Sequence, residues 1–148
     1  MSSPRYQEVK AADIPEVEHK GARVKVIAGE YEGVKGPVKE IYADPEYLDV
    51  YLPAGGEFKQ FITPGHNAFI YLYEGRGVVS GEEVFSTRLL VLGEGDYIQV
   101  ESEEDMRFLL ISGKHLNEPI AWHGPFVMNT LEEIREALDD LRKGTFVK

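Results

Sequence analysis

The chain has no cysteine among its 148 residues, which excludes disulfide bridges, thiolate metal sites and cysteine nucleophiles. Long apolar runs are also missing, since the longest stretches, 69–73 and 89–92, are far too short to span a bilayer. The first ten residues contain no apolar segment typical of an export signal. We therefore expect a soluble, cytoplasmic protein without membrane contact.

Basic residues are scarce: 16 Lys and Arg stand against 26 Asp and Glu, which gives a formal net charge of -10 at pH 7. Binding to a phosphate backbone depends on clustered Lys and Arg, so no nucleic acid partner is expected. The acidic groups are read as a solvated surface, with docking of a basic partner as the alternative. The length fits one domain with a proper core, residues 1–148.

Short segments rich in Val, Ile, Leu, Tyr and Phe recur between residues 22 and 113, separated by Gly, Pro and Asp. Such spacing predicts a β-sandwich or β-barrel. In one segment Leu48, Val50 and Leu52 alternate with polar and aromatic residues, which places them on one face. The predicted strands are 23–28, 47–52, 58–62, 69–73, 88–92, 97–101 and 107–111.

The C-terminal part carries a helix pattern. Thr130 and Glu133 have the spacing of a capping box, in which each side chain satisfies a backbone amide of the other. Gly144 provides the helix stop. An apolar stripe at three-four spacing follows the cap and must be buried somewhere: Leu131, Ile134, Leu138 and Leu141.

Several segments resemble the C-terminal cupin domain of the pirin family. They are Pro-Arg-Tyr-Gln at 4–7, the glycine-rich segment 28–37, Gly-His-Asn-Ala-Phe at 65–69, Tyr-Glu-Gly at 73–75 and Trp-His-Gly-Pro-Phe-Val-Met-Asn-Thr at 122–130. The resemblance covers nearly the whole chain. It implies a mainly β fold, a single cupin-type jelly-roll β-barrel over about 20–113, followed by a C-terminal segment and α-helix over 114–148.

Pirins are two-cupin proteins, and the resemblance implies that iron belongs to the N-terminal cupin, held by three histidines and a glutamate. Some members are described as quercetin dioxygenases, and the human member as a nuclear transcriptional cofactor. The N-terminal cupin is missing here, so the chain is expected to be either a lone C-terminal domain or a fragment. Activity that resides in the iron domain does not transfer to this chain.

The first cupin metal motif keeps its glycines here but not its ligands. Counting from Gly55, the histidine slots hold Phe61 and Thr63, and the glutamate slot holds Asn67. The strands after the Gly-Asp turn at 95–96, where the second motif places a histidine, contain none. Transition metals need imidazole or carboxylate ligands, so we predict no metal, no cofactor and no catalytic residue. A weak alternative is a site built from His66, Glu74 and a third group.

Apolar and aromatic side chains are the candidates for a pocket or an interface. The histidines among the motif residues, His66 and His123, are interpreted as backbone-bonded rather than as ligands or bases. Tyr31 and Lys35 of the glycine-rich segment could line a pocket at the barrel mouth. The candidate pocket or interface residues are Phe61, Phe69, Tyr71, Phe108, Trp122, His123, Phe126 and Met128.

The expected function is that of a metal-free cupin domain acting as a binding or structural partner module. The alternative is a quercetin 2,3-dioxygenase-type oxidoreductase, which would need iron or another transition metal, or an iron-bearing partner cupin. Expected partners are a second copy of the chain or a separate N-terminal-type pirin cupin, joined through the C-terminal segment, and a small apolar ligand. A metal analysis with the mass in solution separates these hypotheses.

Overall fold

A computed structural model describes residues 5–146 of the chain, so Pro4 of the Pro-Arg-Tyr-Gln motif lies outside the described residues. Within that range a 3-10 helix at Ala11–Asp13 precedes the first strand. The strands are β1 Glu16–His19, β2 Ala22–Ala28, β3 Glu30–Tyr31, β4 Val34–Lys35, β5 Glu46–Leu52, β6 Glu57–Phe61 and β7 His66–Glu74. There follow β8 Arg76–Val79, β9 Glu82–Phe85, β10 Arg88–Val91, β11 Tyr97–Ser102, β12 Met106–Lys114, β13 Ala121–His123, β14 Phe126–Met128 and the helix α1 Leu131–Lys143.

Two antiparallel sheets enclose the core. The first has six strands in the order β1-β2-β5-β12-β7-β10, and the second has four in the order β6-β11-β8-β9. The expected mainly β jelly-roll architecture with a C-terminal helix is confirmed. The two sheets do not close into one continuous hydrogen-bonded barrel within residues 5–146.

The core forms because the strands alternate between buried and exposed positions. Leu48, Val50 and Leu52 are all fully buried, as the period-two pattern predicts. Phe108 of β12 meets Phe58 of β6 across the sandwich, with ring centroids 5.5 Å apart. Aromatic packing of this kind ties the six-stranded sheet to the four-stranded one.

All seven predicted strands are present, with ends that differ by a few residues at most. The short strands β1, β3, β4, β8, β9, β13 and β14 were missed. On one side the six-stranded sheet ends at β10, which pairs with β7 alone within residues 5–146. Leu89 and Val91 of β10 are 61% and 81% exposed.

Residues 116–146 form a compact unit distinct from the one that contains residues 5–115. Its helix begins at the predicted capping box of Thr130 and Glu133 and ends at Gly144, whose φ of 70° is left-handed. The predicted stripe is buried at Ile134, whereas Leu131 is 64% exposed. Within residues 5–146, no helix combines the length and the apolar character needed to cross a bilayer.

Candidate binding pocket

A cavity of about 550 Å³ opens within the unit that holds the sheets. Its walls come from the β3–β4 hairpin, the loop 36–45, the start of β5, the end of β6 and the start of β7. This size is within the usual range of small-molecule sites. The polar and apolar side chains that line it include Glu30, Lys35, Lys39, Glu40, Ile41, Asp44, Glu46, Gln60, Phe61, Thr63 and His66.

Glycines of the segment 28–37 shape this cavity by allowing close backbone approach. A Cβ on Gly29, whose φ is +80°, would lie 3.0 Å from Cα of Glu46. A Cβ on Gly36 would lie 2.6 Å from the carbonyl of Ile27. The backbone N–H of Gly36 donates to the carbonyl of Gly29 at 3.0 Å, which holds the hairpin in place. The glycine-rich segment therefore brings the β3–β4 hairpin against β5.

Glu46 is a partly buried carboxyl group in the cavity lining. Its carboxylate accepts a short hydrogen bond from Nε2 of Gln60 and a long one, 3.5 Å, from Oγ of Ser112. Burial raises the pKa of Glu46 to about 7, against the lowering effect of these two hydrogen bonds. Within residues 5–146 no Lys or Arg forms an ion pair with it. A carboxyl group without a cationic partner thus lies in the pocket wall.

His66 also lines the cavity, at the first position of β7. Its backbone N–H donates to the carbonyl of Thr63 at 3.0 Å. Its side-chain Nδ1 is buried and has no hydrogen-bond partner within the described part of the chain. A neutral imidazole nitrogen of this kind can accept a hydrogen bond from a ligand.

Charged side chains at the cavity are mostly paired with each other. Lys35 lies 3.6 Å from Glu30, and Arg5 lies 2.5 Å from Glu40. Arg5 also donates to the carbonyl of Lys39. The Gln7 side chain donates to the same carbonyl at 2.9 Å and accepts from the backbone N–H of Lys39 at 3.2 Å. The Arg5–Gln7 part of the sequence motif therefore fixes the loop that forms one cavity wall.

The positions expected to hold cupin metal ligands lie partly in this pocket. Phe61 and Thr63 line it, and Asn67 is exposed on β7 opposite Gly113. A phenyl ring, a hydroxyl and an amide are not a donor set for a transition metal, so iron does not fit these slots. Residues 5–146 contain no group of three His, Asp or Glu arranged to hold a metal ion.

The weak alternative of a site shared by His66 and Glu74 does not agree with the geometry. The two residues are the first and last of β7, and a regular strand of this length separates its ends by roughly 26 Å. Glu74 instead pairs with Arg107 at 3.3 Å. One ion cannot bridge these two side chains.

The other candidate residues occupy different places. Phe108 is fully buried in the core, and Tyr71 is 37% exposed on the opposite face of its sheet, where it stacks on Tyr73. Phe69 is half-buried on β7, whereas Phe61, which is 70% exposed, lines the cavity. Trp122, His123, Phe126 and Met128 all belong to the β13–β14 hairpin, where Trp122 and His123 are exposed and Phe126 packs on Phe146.

A second polar cluster lies away from the cavity. Tyr73 donates to Asp49 at 2.8 Å, and burial raises the pKa of Tyr73 to about 12. Tyr51 donates to Asp105 at 2.9 Å, and Asp105 also accepts the backbone N–H of Ala54, which lowers its pKa. These side chains satisfy one another on β5, on β7 and in the turn before β12, so we interpret the cluster as structural.

The comparisons with known proteins agree with this architecture. The sequence model of the Pirin C-terminal cupin domain matches residues 47–147. The chain belongs to the pirin family. It is 42% identical to a pirin-like protein of Caulobacter vibrioides over 99% of this chain and 54% of that protein. It is 40% identical to the pirin of Homo sapiens over 96% of this chain and 51% of that protein.

Among solved structures, the pirin-type fold matches that of a quercetin 2,3-dioxygenase from Acinetobacter baumannii. The TM-score is 0.88 at 36% identity, over 96% of this chain and 50% of that chain. The chain thus spans about half the length of the curated relatives it matches. A second, shorter model, the KOW motif, matches residues 20–51, the stretch from the β1–β2 turn to β5.

Proposed function

We propose that this pirin-type cupin domain acts as a metal-free binding and partner module rather than as a redox catalyst. The observation that supports this proposal is the identity of the cavity wall. Phe61 and Thr63 line the pocket in place of the histidines that a cupin uses to hold a metal. The cavity keeps a size suited to a small molecule, and Glu46 is one of the polar groups that line it.

The purified protein is expected to contain no stoichiometric iron, zinc or nickel and to convert quercetin no faster than a blank without enzyme. The physical reason is the absence of imidazole at positions 61 and 63. Elemental analysis of the purified chain, paired with an oxygen-uptake assay, measures both quantities. One equivalent of iron, lost together with activity on chelation, would overturn the proposal.

The alternative is a quercetin 2,3-dioxygenase-type oxidoreductase, favoured by the likeness to the Acinetobacter baumannii structure of that name. That protein is about twice as long as this chain, because the match covers 50% of it. The alternative therefore depends on a metal or on an iron-bearing partner cupin. Adding such a partner and recovering turnover would support it.

We further propose that a second copy of the chain is the protein partner, docked on the unit of residues 116–146. This unit exposes several large apolar side chains: Leu116, Ile120, Trp122, Val127, Leu131, Leu141 and Phe146 are between 44% and 80% exposed. Contiguous apolar surface on a soluble protein commonly marks an interface. The curated relatives are about twice as long as this chain, so two copies together have about the length of one such relative.

Light scattering is expected to give the mass of a dimer for the full chain. Trp122→Glu, which puts a charge on the apolar surface, should shift the protein towards the monomer. Tyr42→Glu is the matched control, since Tyr42 is 71% exposed but lies outside the unit of residues 116–146. A monomeric, folded full-length protein refutes the homodimer. A dimer unaffected by Trp122→Glu places the contact elsewhere, and a dimer only with an added iron cupin identifies that protein as the partner.

A further inference from the structure

We infer that the cavity binds a small organic cation, a primary amine that carries an apolar group, with Glu46 and His66 as the groups that receive it. This inference rests on the proposed binding function and names the ligand class of the same pocket. It follows from three features of the cavity: acceptors without a basic partner, the balance of charge and an exposed aromatic ring.

The two acceptors call for a donor that carries positive charge. The carboxylate of Glu46 has hydrogen bonds from Gln60 and Ser112 but no basic partner within residues 5–146. Nδ1 of His66 is buried without a partner in the same range. An ammonium group has three N–H donors, so it can donate to the carboxylate of Glu46 and neutralise it while keeping donors for a second acceptor.

The remaining charges around the cavity also favour a positively charged ligand. Glu30 is matched by Lys35, and Glu40 by Arg5. The charged lining residues outside these two ion pairs are Asp44 and Glu46, which are acidic, and Lys39, which is basic. The whole chain carries a formal net charge of -10, so long-range attraction also favours cations over anions.

The apolar part of the ligand has a defined place to pack. Phe61 lines the cavity and is 70% exposed, and its ring already accepts a cation, because Nζ of Lys59 lies 5.7 Å from the ring centroid. Val38, Ile41 and Pro45 add apolar surface to the lining. An aryl group attached to the amine would cover surface that is now exposed to water.

The test uses three probes of one shape, namely benzylamine, benzyl alcohol and benzoate, titrated into the full chain at pH 8 and followed by amide NMR shifts. Benzylamine is expected to bind about tenfold more tightly than the other two, with shifts at Gly29, Gly36 and Ile41. Glu46→Gln should weaken benzylamine about tenfold. Glu57→Gln, an exposed carboxyl of β6 outside the lining, should leave the affinity within about twofold.

The pH dependence gives a second readout on the unmodified protein. Glu46 must be ionised to hold an ammonium, and its pKa is about 7, so benzylamine affinity should fall about tenfold between pH 8 and pH 6. The other titratable groups that line the cavity are Glu30, Lys35, Lys39, Glu40, Asp44 and His66. Loss of most of the pH effect in Glu46→Gln would attribute that effect to Glu46.

Each result of the probe titrations either supports or overturns the amine inference. Benzyl alcohol binding as tightly as benzylamine, or Glu46→Gln binding benzylamine like the unmodified chain, overturns the amine inference. The proposed function fails on a different measurement, the iron content and quercetin turnover of the purified protein. A metal-free protein that binds none of the three probes refutes the amine inference alone.

Discussion

Phe108→Ala is expected to lower the free energy of unfolding by about 3–5 kcal/mol. Phe108 is fully buried in β12, opposite Val50 of β5 and Leu72 of β7, and its ring meets Phe58 of the other sheet. Removing the ring would leave a cavity between the two sheets that these neighbours cannot fill. Denaturant unfolding followed by circular dichroism measures the loss.

Phe61→Ala is the matched control for this experiment, since it removes the same ring from a side chain that is 70% exposed. Its contacts are an edge-to-face approach to Tyr97 at 6.2 Å and the Lys59 side chain. The expected change is within about 0.5 kcal/mol, as for surface substitutions in general. Equal losses for the two variants would mean that Phe61 also belongs to the core and would contradict the assigned packing.

Glu46→Gln is expected to stabilise the protein at pH 8 but hardly at all below pH 4.5. Burial raises the pKa of Glu46 from 4.5 in the unfolded chain to about 7 in the folded one. Between these values the unfolded state releases the proton that the folded state retains, so the stability of the natural chain falls as pH rises. At about 1.4 kcal/mol per unit of pKa, a rise from 4.5 to about 7 corresponds to a total effect of about 3 kcal/mol.

The stability difference between Glu46→Gln and the natural chain is therefore expected to grow from pH 4.5 to pH 7 and then to stay constant. Urea unfolding midpoints at pH 5, 6, 7 and 8 give this curve. Glu57→Gln, at the exposed start of β6, should give a flat difference over the same range. A flat difference for Glu46→Gln would show that Glu46 is solvated in the folded protein.

The long strands and the helix could be predicted because their signals are local. Leu48, Val50 and Leu52 alternate with a period of two, and Thr130 with Glu133 caps the helix in the predicted manner. The pairing order of the sheets could not be read in this way, because it depends on contacts between distant segments such as β12 with β5 and β7. Only the family resemblance supplied the jelly-roll arrangement.

The missed strands around tight turns are marked in the sequence by a local turn signal. Three hairpins turn on two residues that both have positive φ, the second of which is glycine. This is the geometry that matches the twist of a β-hairpin. The three turns are Lys20-Gly21, Glu32-Gly33 and Ser80-Gly81. The missed strands that flank these turns are β1, β3, β4, β8 and β9, which have two to four residues each, so hydrophobic alternation alone did not reveal them.

The pocket was harder to predict than the fold. Phe61 was among the candidate residues, but so were Phe69, Tyr71 and Phe108, which the sequence could not distinguish from it because all four lie in strand segments. Glu46 was missed, although it falls in phase with the buried residues Leu48, Val50 and Leu52. A charged residue that continues a buried stripe is a signal for a functional or strained position.

The outer strand β10 also bears on the solubility of the chain. It pairs with β7 on one side, and within residues 5–146 its other backbone edge is left without a strand partner. Its exposed Leu89 and Val91 have the character of segments that recruit further strands into ordered aggregates. The loop directly after it contains Glu94 and Asp96, and flanking charges of this kind act as gatekeepers against such growth. The acidic turn after β10 thereby protects the open side of the sheet from edge-to-edge aggregation.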